Sequence, residues 1–363
     1  MRVISYEIAG CGPRPGMLVE EGWVLDLNRA VVTGGMRRGG QDLDLAGLIA
    51  LHDKETPCLS ILNETMLGSR YDEALVPRAS TTLRAPIGKP RKNIFCVGRN
   101  YLDHVAEGDR VRGVSTDLPA YPQFFTKPPT AVIGPDERVE VDARISGRLD
   151  YEVELAIVIG RGGKNIPESE ALDHIFGYTI INDVSARDLQ QRHGQWFKGK
   201  ALDSTCPVGP WIVTADAVGD PQNLSISLQI NGEERQRAST SQMIFSIARI
   251  VSELSQGLTL EPGDVIATGT PSGVGFAMEP PRYLEDGDVM TCRIEGVGEL
   301  SNRVRISWRR VHLMRQPAPW SVSGWSRLRA RAQDLSRPCC FPTWAPTLCG
   351  SIAPTRNLDP ASI

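Results

Sequence analysis

Over many short stretches of this chain apolar and polar residues alternate, and a strand turns successive side chains to opposite faces. Arg2–Ile8, Gly16–Val19 and Gly22–Leu27 read as strands joined by Gly/Pro turns. So do Ile94–Val97, Phe124–Pro128, Gly177–Asp183, Trp211–Thr214, Leu224–Ile230 and Val289–Glu295, with Asn231-Gly232 as a hairpin turn. Helical spacing appears at Asp42–His52, which puts Leu45, Leu48 and Ile49 on one face, and at Ile244–Leu254. Glu168–His174 also reads as a helix. The pattern predicts a strand-rich α+β fold. A Pro-rich stretch from Pro86 to Lys92 predicts a boundary between a small N-terminal domain, residues 1–85, and a larger domain, residues 86–307.

The strongest apolar run is Asp150–Gly160, and it carries Glu152 and Glu154 near its start. Two residues apart on a strand, these carboxylates share a face and repel each other unless a cation sits between them. A divalent metal is one such partner; an edge strand with two solvated glutamates is the other reading. Asp183 ends another predicted strand and is the natural third oxygen ligand for a hard cation.

Other residues offer reactive chemistry. His104 and Glu107 are three apart, so one helical turn brings them into contact. A carboxylate orients an imidazole and raises its basicity, as in a general base, although surface pairs of this kind are common. The polar segment Gly108–Pro122 is either a lid or a plain loop. Arg187 and Gln190 sit one helical turn apart and can face one ligand. The loop Gly269–Gly275 is dense in glycine, and its amides can cradle a carboxylate or simply turn the chain. Gly194–Lys200 fits a phosphate-binding loop up to Ala201, where a Ser or Thr hydroxyl is required. No strand precedes it and no long helix follows, which argues against a nucleotide.

With 363 residues and a net charge of −3, the chain has ample core and no electrostatic pull toward nucleic acid or anionic membranes. No apolar run reaches the roughly 18 residues of a membrane span, and Met1 leads straight into a strand pattern with no secretory signal. The eight cysteines form no CxxC pair; Cys96, Cys206 and Cys292 lie in apolar sequence and read as reduced thiols of a cytoplasmic protein. From Trp308 onward the character breaks. Residues 308–363 hold eight Arg, no Lys or Glu and two Asp, about +6 against about −9 for the remainder. They also hold seven Pro and four of the seven Trp, without periodicity. This tail reads as irregular or disordered and basic, either extraneous to the domain before it or a genuine basic interaction tail.

The stretch Lys92–Arg305 resembles the fumarylacetoacetate hydrolase superfamily, of the bacterial acylpyruvase and 2-hydroxyhepta-2,4-diene-1,7-dioate isomerase type. Six pieces occur in the family order: GRNYxxHxxE at Gly98–Glu107, FxKP at Phe125–Pro128, DYExELxxVIG at Asp150–Gly160, NDxSARDxQ at Asn182–Gln190, KxxDxxCPxGP at Lys200–Pro210 and TGTPxGVG at Thr268–Gly275. The resemblance implies a mixed β-sandwich roll, usually a homodimer. It makes Glu152, Glu154 and Asp183 ligands of a catalytic divalent ion, usually Mg²⁺, with Mn²⁺ or Ca²⁺ as alternatives. It gives His104 and Glu107 the acid/base role on a segment that closes over substrate, and Lys200 a place near the metal-bound group. Tyr101, Lys127, Arg187, Gln190, Gly269 and Thr270 take substrate-contacting positions. The larger eukaryotic hydrolases carry an extra aspartate where Val97 stands, a departure that favours the smaller bacterial type.

The chemistry implied is enolate formation from a small 2-oxo acid, aided by a Lewis acid. The first expectation is hydrolysis of a C–C bond in an acylpyruvate-like 2,4-dioxo acid, with His104 activating water and Lys200 facing the oxyanion. Decarboxylation, tautomerisation or isomerisation of a 2-oxo acid uses the same enolate without that water. An inactive metal-binding homologue is the alternative of another class, and retention of every site residue argues against it.

Overall fold

The computed structural model describes residues 1–20, 22–33, 42–51 and 69–307. Its frame is a twelve-stranded mixed sheet. Neighbour to neighbour, this sheet runs β4 (Leu75–Pro77), β3 (Trp23–Asp26), β2 (Arg14–Glu20), β1 (Arg2–Glu7), β14 (Cys206–Thr214), β12 (Ile175–Asn182), β11 (Val153–Ile159), β17 (Val265–Ala267), β6 (Ile94–Gly98) and β7 (Gln123–Lys127). Two short strands join off this path, β5 (Thr82–Arg84) on β1 and β8 (Val132–Ile133) on β14. A second, five-stranded sheet runs β16 (Glu233–Ser239), β15 (Ser225–Ile230), β18 (Val289–Ile294), β19 (Gly298–Ser307) and β9 (Arg138–Asp142). A two-stranded piece pairs β10 (Leu149–Asp150) with β13 (Ser185–Ala186).

Strand β11 shows why the fold holds together. All seven of its residues are buried, because β12 and β17 flank it and both of its faces are covered. Val153, Leu155, Ile157 and Ile159 enter a core shared with Ile226, Leu228 and Cys292 of the second sheet. Ala156 and Val158 point the other way, into a core shared with Val3, Met17, Leu25 and Leu48 of the N-terminal segment. A central strand has no solvated edge, so the edge-strand reading of Glu152 and Glu154 fails. Burying these apolar side chains stabilises the fold by roughly 1.5–3 kcal/mol each relative to exposure.

The 86–92 stretch divides the sequence but not the sheet. Strand β1 hydrogen-bonds to β14, with Arg2 opposite Val213, and Met1–Arg309 forms one compact unit. The tail reading falls on residues 308–363, which lie outside the described residues.

Helices follow the apolar spacing. Leu45–Leu51 buries Leu45, Leu48 and Ile49 as expected. Ile247–Ser255 starts where the Ser246 hydroxyl accepts from the Arg249 amide. Glu168–His174 is a 3₁₀ rather than an α-helix; its buried residues, Ala171 and His174, are three apart, the repeat that eclipses in a 3₁₀ turn. The first third of the segment expected as lid or loop is helix, because Leu102–Arg112 runs on to Gly113, whose φ of 67° ends it. Asn231 and Gly232, at φ 52° and 84°, form the expected two-residue turn between β15 and β16.

Candidate active site

The start of β11 and the end of β12 bring the acids together. Glu152, Glu154 and Asp183 each offer a carboxylate oxygen within 4.8 Å of the others, and all three are buried. Hydrogen bonds fix their backbones: the Asp183 amide donates to Glu152 O at 2.8 Å, and the Glu152 amide to Asn182 Oδ1 at 3.0 Å. Three cations surround the group. Lys200 Nζ donates to Glu152 Oε2 at 2.7 Å and to Asp183 Oδ2 at 2.6 Å. Lys127 Nζ pairs with Asp183 Oδ1 at 2.8 Å, and Arg187 Nη2 with Glu152 Oε1 at 2.7 Å.

The three acids do not share this neutralisation equally. Burial opposes ionisation of Glu152, but the charges of Lys200 and Arg187 outweigh it and hold the carboxyl at about 2. Burial pushes Glu154 well above the usual range, and the charges of Asp183 and Glu152 push it further. Among the described residues its direct main-chain donor is the Gly269 amide, 2.7 Å from Oε2. A buried all-oxygen set with one acid short of counter-charge suits a hard divalent cation, so the donors fit Mg²⁺ chemistry.

Glu152 and Glu154 open into a cavity of about 290 Å³ whose walls include His104, Arg187, Gln190, Lys200, Thr270 and Phe276. His104 stands on the helix Leu102–Arg112, and its Nδ1 is 2.9 Å from Glu107 Oε1. The other oxygen of Glu107 accepts from the Gly273 amide at 2.9 Å, which ties that helix to the glycine-rich loop. Gly273 has a φ of 103°, and a Cβ there would lie 2.0 Å from Arg235 O, so only glycine suits this donor.

Of the twelve expected site residues, His104, Glu152, Glu154, Arg187, Gln190, Lys200 and Thr270 line the cavity, and Glu107 and Asp183 reach it through His104 and Lys200. Tyr101, Lys127 and Gly269 stand behind the lining instead of in it. Lys127 has no exposed surface; its ammonium also donates to Val184 O and Lys200 O, at 3.1 and 2.5 Å. Tyr101 is buried, and burial with the charge of Glu154 keeps its phenol protonated. Gly269 contributes its amide to Glu154 and no surface to a ligand. Arg187, expected to contact substrate, lines the cavity; its Nε donates to Asp150 Oδ2 at 2.9 Å and its Nη1 to Gln190 Oε1 at 3.1 Å, while its Nη2 is ion-paired with Glu152.

Asp150 was not singled out by sequence reasoning. It is fully buried and accepts from Arg187, from the Gly275 amide at 2.7 Å and from the Phe276 amide at 3.1 Å. It therefore joins the triad to the glycine loop. An acid opening an apolar run, two positions before Glu152, was the available signal. Trp196, Phe125 and Phe276 were also missed; they are apolar walls of the cavity and carry no motif chemistry. The segment that resembles a phosphate loop provides Trp196 and Lys200 to this same cavity.

Comparison with known proteins agrees with this geometry. Oxaloacetate tautomerase YisK of Bacillus subtilis is 50% identical over 222 residues, 61% of this chain and 72% of that protein. Among solved structures, the fumarylacetoacetate hydrolase of the psychrophile Exiguobacterium antarcticum is 40% identical, with a TM-score of 0.68 over 85% of this chain and 100% of its own. A 5-carboxymethyl-2-hydroxymuconate delta-isomerase from Mycobacterium smegmatis is 34% identical, with a TM-score of 0.64 over 85% of this chain and 100% of its own. The family model described as fumarylacetoacetate (FAA) hydrolase C-terminal matches residues 93–305, which include the triad, its cations and the His104–Glu107 pair. On that match the chain belongs to the fumarylacetoacetate hydrolase family of enzymes.

Proposed function

We propose that this protein is a divalent-cation-dependent enzyme that interconverts the keto and enol forms of a small 2-oxo dicarboxylic acid of the oxaloacetate type. One observation carries the reading: Glu152, Glu154 and His104 line one cavity, whose volume of about 290 Å³ suits a ligand of a few carbons. Glu152, Glu154 and Asp183 would hold the ion, with Mg²⁺ our first choice. Such an ion, when bound, supplies Lewis-acid stabilisation of negative charge on the keto oxygen.

The chain's own residues do the rest. Glu107 fixes the His104 ring, which takes the proton from the carbon next to the keto group. The electron pair left behind closes the carbon–carbon double bond, and the oxygen takes a proton from water to become the enol hydroxyl, while His104 releases its own to water. In the reverse direction His104 returns the proton to carbon. Lys200 sets positive charge beside the reacting oxygen, and Phe125, Trp196 and Phe276 limit water around it.

Tautomerisation stands ahead of the hydrolysis first expected, because the relative named a tautomerase is 50% identical and the neighbour named an isomerase is 34% identical. Hydrolysis of a 2,4-dioxo acid is the second reading, supported by the hydrolase structure at 40% identity. Proton NMR of the products separates the two. We expect oxaloacetate added as the enol to relax to its keto–enol equilibrium faster than in buffer, without pyruvate beyond the buffer control, and acylpyruvates to turn over far more slowly. Rapid release of pyruvate from acylpyruvates, with enol decay unchanged from buffer, would replace tautomerase by hydrolase. A homodimer in the cytoplasm is the assembly and compartment we carry forward from the resemblance and the buried thiols.

A further inference from the structure

Each of the four carboxylate oxygens of Glu152 and Asp183 faces one cation. Arg187 takes Glu152 Oε1, Lys127 takes Asp183 Oδ1, and Lys200 takes the remaining oxygen of both. These cations differ in what else holds them. Arg187 is locked by Asp150 and Gln190 and lies over the Phe276 ring, 4.5 Å from its centroid. Lys127 is enclosed, with two backbone carbonyls on its ammonium. Among the described residues the Lys200 ammonium hydrogen-bonds to the two acids alone, and its side chain reaches the cavity.

A divalent ion binds carboxylate oxygens at about 2.0–2.6 Å. While Lys200 stands 2.6–2.7 Å from one oxygen of each acid, an ion on those oxygens meets a like charge almost in contact. In a buried site such repulsion is strong. Of the three cations only Lys200 can give way. Its backbone carbonyl is pinned by Lys127, so the side chain moves and the chain does not. The Phe125 ring is already beside it, with the ammonium 5.1 Å from the centroid, within the range of a cation–π contact.

We propose that Lys200 is an internal counter-ion of the triad. It competes with the divalent cation for Glu152 and Asp183, and cation binding drives its ammonium over Phe125 toward the cavity. This rests on the metal-dependent reading above. Two consequences follow from charge alone. The triad is stable without an ion, at the expense of ion affinity. The displaced ammonium is then ready for an anionic ligand, so cation and 2-oxo acid favour each other's binding.

Calorimetric titration with Mn²⁺ alone, after chelator treatment, tests this on the full chain. Lys200→Met should bind Mn²⁺ at least about tenfold more tightly than the unaltered protein, since a like charge has gone. Lys200→Arg, which keeps the charge, should stay within a few-fold. Lys200→Gln should follow Lys200→Met and serves if the latter does not fold. Without the ion, Lys200→Met should melt lower than the unaltered protein and gain more from Mn²⁺. Equal or weaker Mn²⁺ binding by both uncharged variants, beside measurable binding by the unaltered protein, would overturn the inference and leave the metal reading standing. Absence of Mn²⁺ binding in every form would instead remove the metal reading itself.

Discussion

His104 lines the cavity with its side chain only 14% exposed, and its partner Glu107 is itself fixed by the Gly273 amide. A surface pair would contribute at most about 1 kcal/mol and no chemistry. The proposed base predicts that His104→Ala slows tautomerisation by about 10²–10⁴, with Mn²⁺ affinity within a few-fold of normal. Unchanged turnover in that variant would return the pair to a structural role. A second residue-level expectation lies far from the cavity. Burial opposes ionisation of Asp26, but hydrogen bonds from Arg14, the Arg29 amide and Tyr6 outweigh it and lower its pKa. The ionised form is then favoured in the fold, so this contribution is present above the unfolded value of about 4 and fades as pH falls through the lowered folded value. Asp26→Asn should therefore destabilise the protein at neutral pH and lose less stability than the parent between about pH 5 and pH 2. Parallel urea-midpoint profiles for the two proteins would refute this. Of these residues, spacing and motif exposed His104, Glu107, Glu152 and Glu154. Asp26 and Asp150 stayed hidden because their partners come from distant positions, Arg14 and Arg187.

At the scale of elements, the two periodicities located the long strands of the main sheet and the helices at Leu45–Leu51 and Ile247–Ser255, since burial of one face is what periodicity records, but passed over β9, β19 and the helix Leu27–Thr33. They did not reveal that β11 is covered on both sides, because a continuous apolar run leaves the location of the flanking strands open. Nor did they distinguish 3₁₀ from α at Glu168–His174, where a single turn with buried residues three apart fits both. The glycine-rich loop was ambiguous in sequence, either a nest for a ligand or a turn. In the structure its amides serve acids of the protein: Gly269 serves Glu154, Gly273 serves Glu107, and Gly275 serves Asp150. Gly273→Ala should show how much this matters. Its Cβ meets Arg235 O at 2.0 Å on a backbone of φ 103°, so the loop must shift and Glu107 lose its donor. We expect turnover to fall at least about tenfold, as general-base positioning is lost, along with a lower melting temperature. Normal activity in Gly273→Ala would show that Glu107 needs no such support.

Among the described residues the twelve-stranded sheet joins the N-terminal strands to β11 and β12, at whose ends the triad lies. A composition change marked 86–92 in the sequence, yet long-range pairing such as β1 on β14 leaves no local signature, so its continuity emerges only in three dimensions. The compact unit Met1–Arg309 predicts that a chain stopped after Arg309 keeps its melting temperature and its metal-dependent turnover within a few-fold. A collapse of either would show that residues 310–363 are needed by the folded unit. The central claim is that the buried triad and His104 together make a cation-dependent tautomerase. Its most direct test is the ultraviolet decay of enol-oxaloacetate, followed in stopped flow with chelator-treated protein before and after Mg²⁺ is restored. The account predicts decay at the buffer rate with chelator, a large acceleration with Mg²⁺, and none with Mg²⁺ in the Glu154→Gln variant. Equal acceleration by protein verified as metal-free would contradict it.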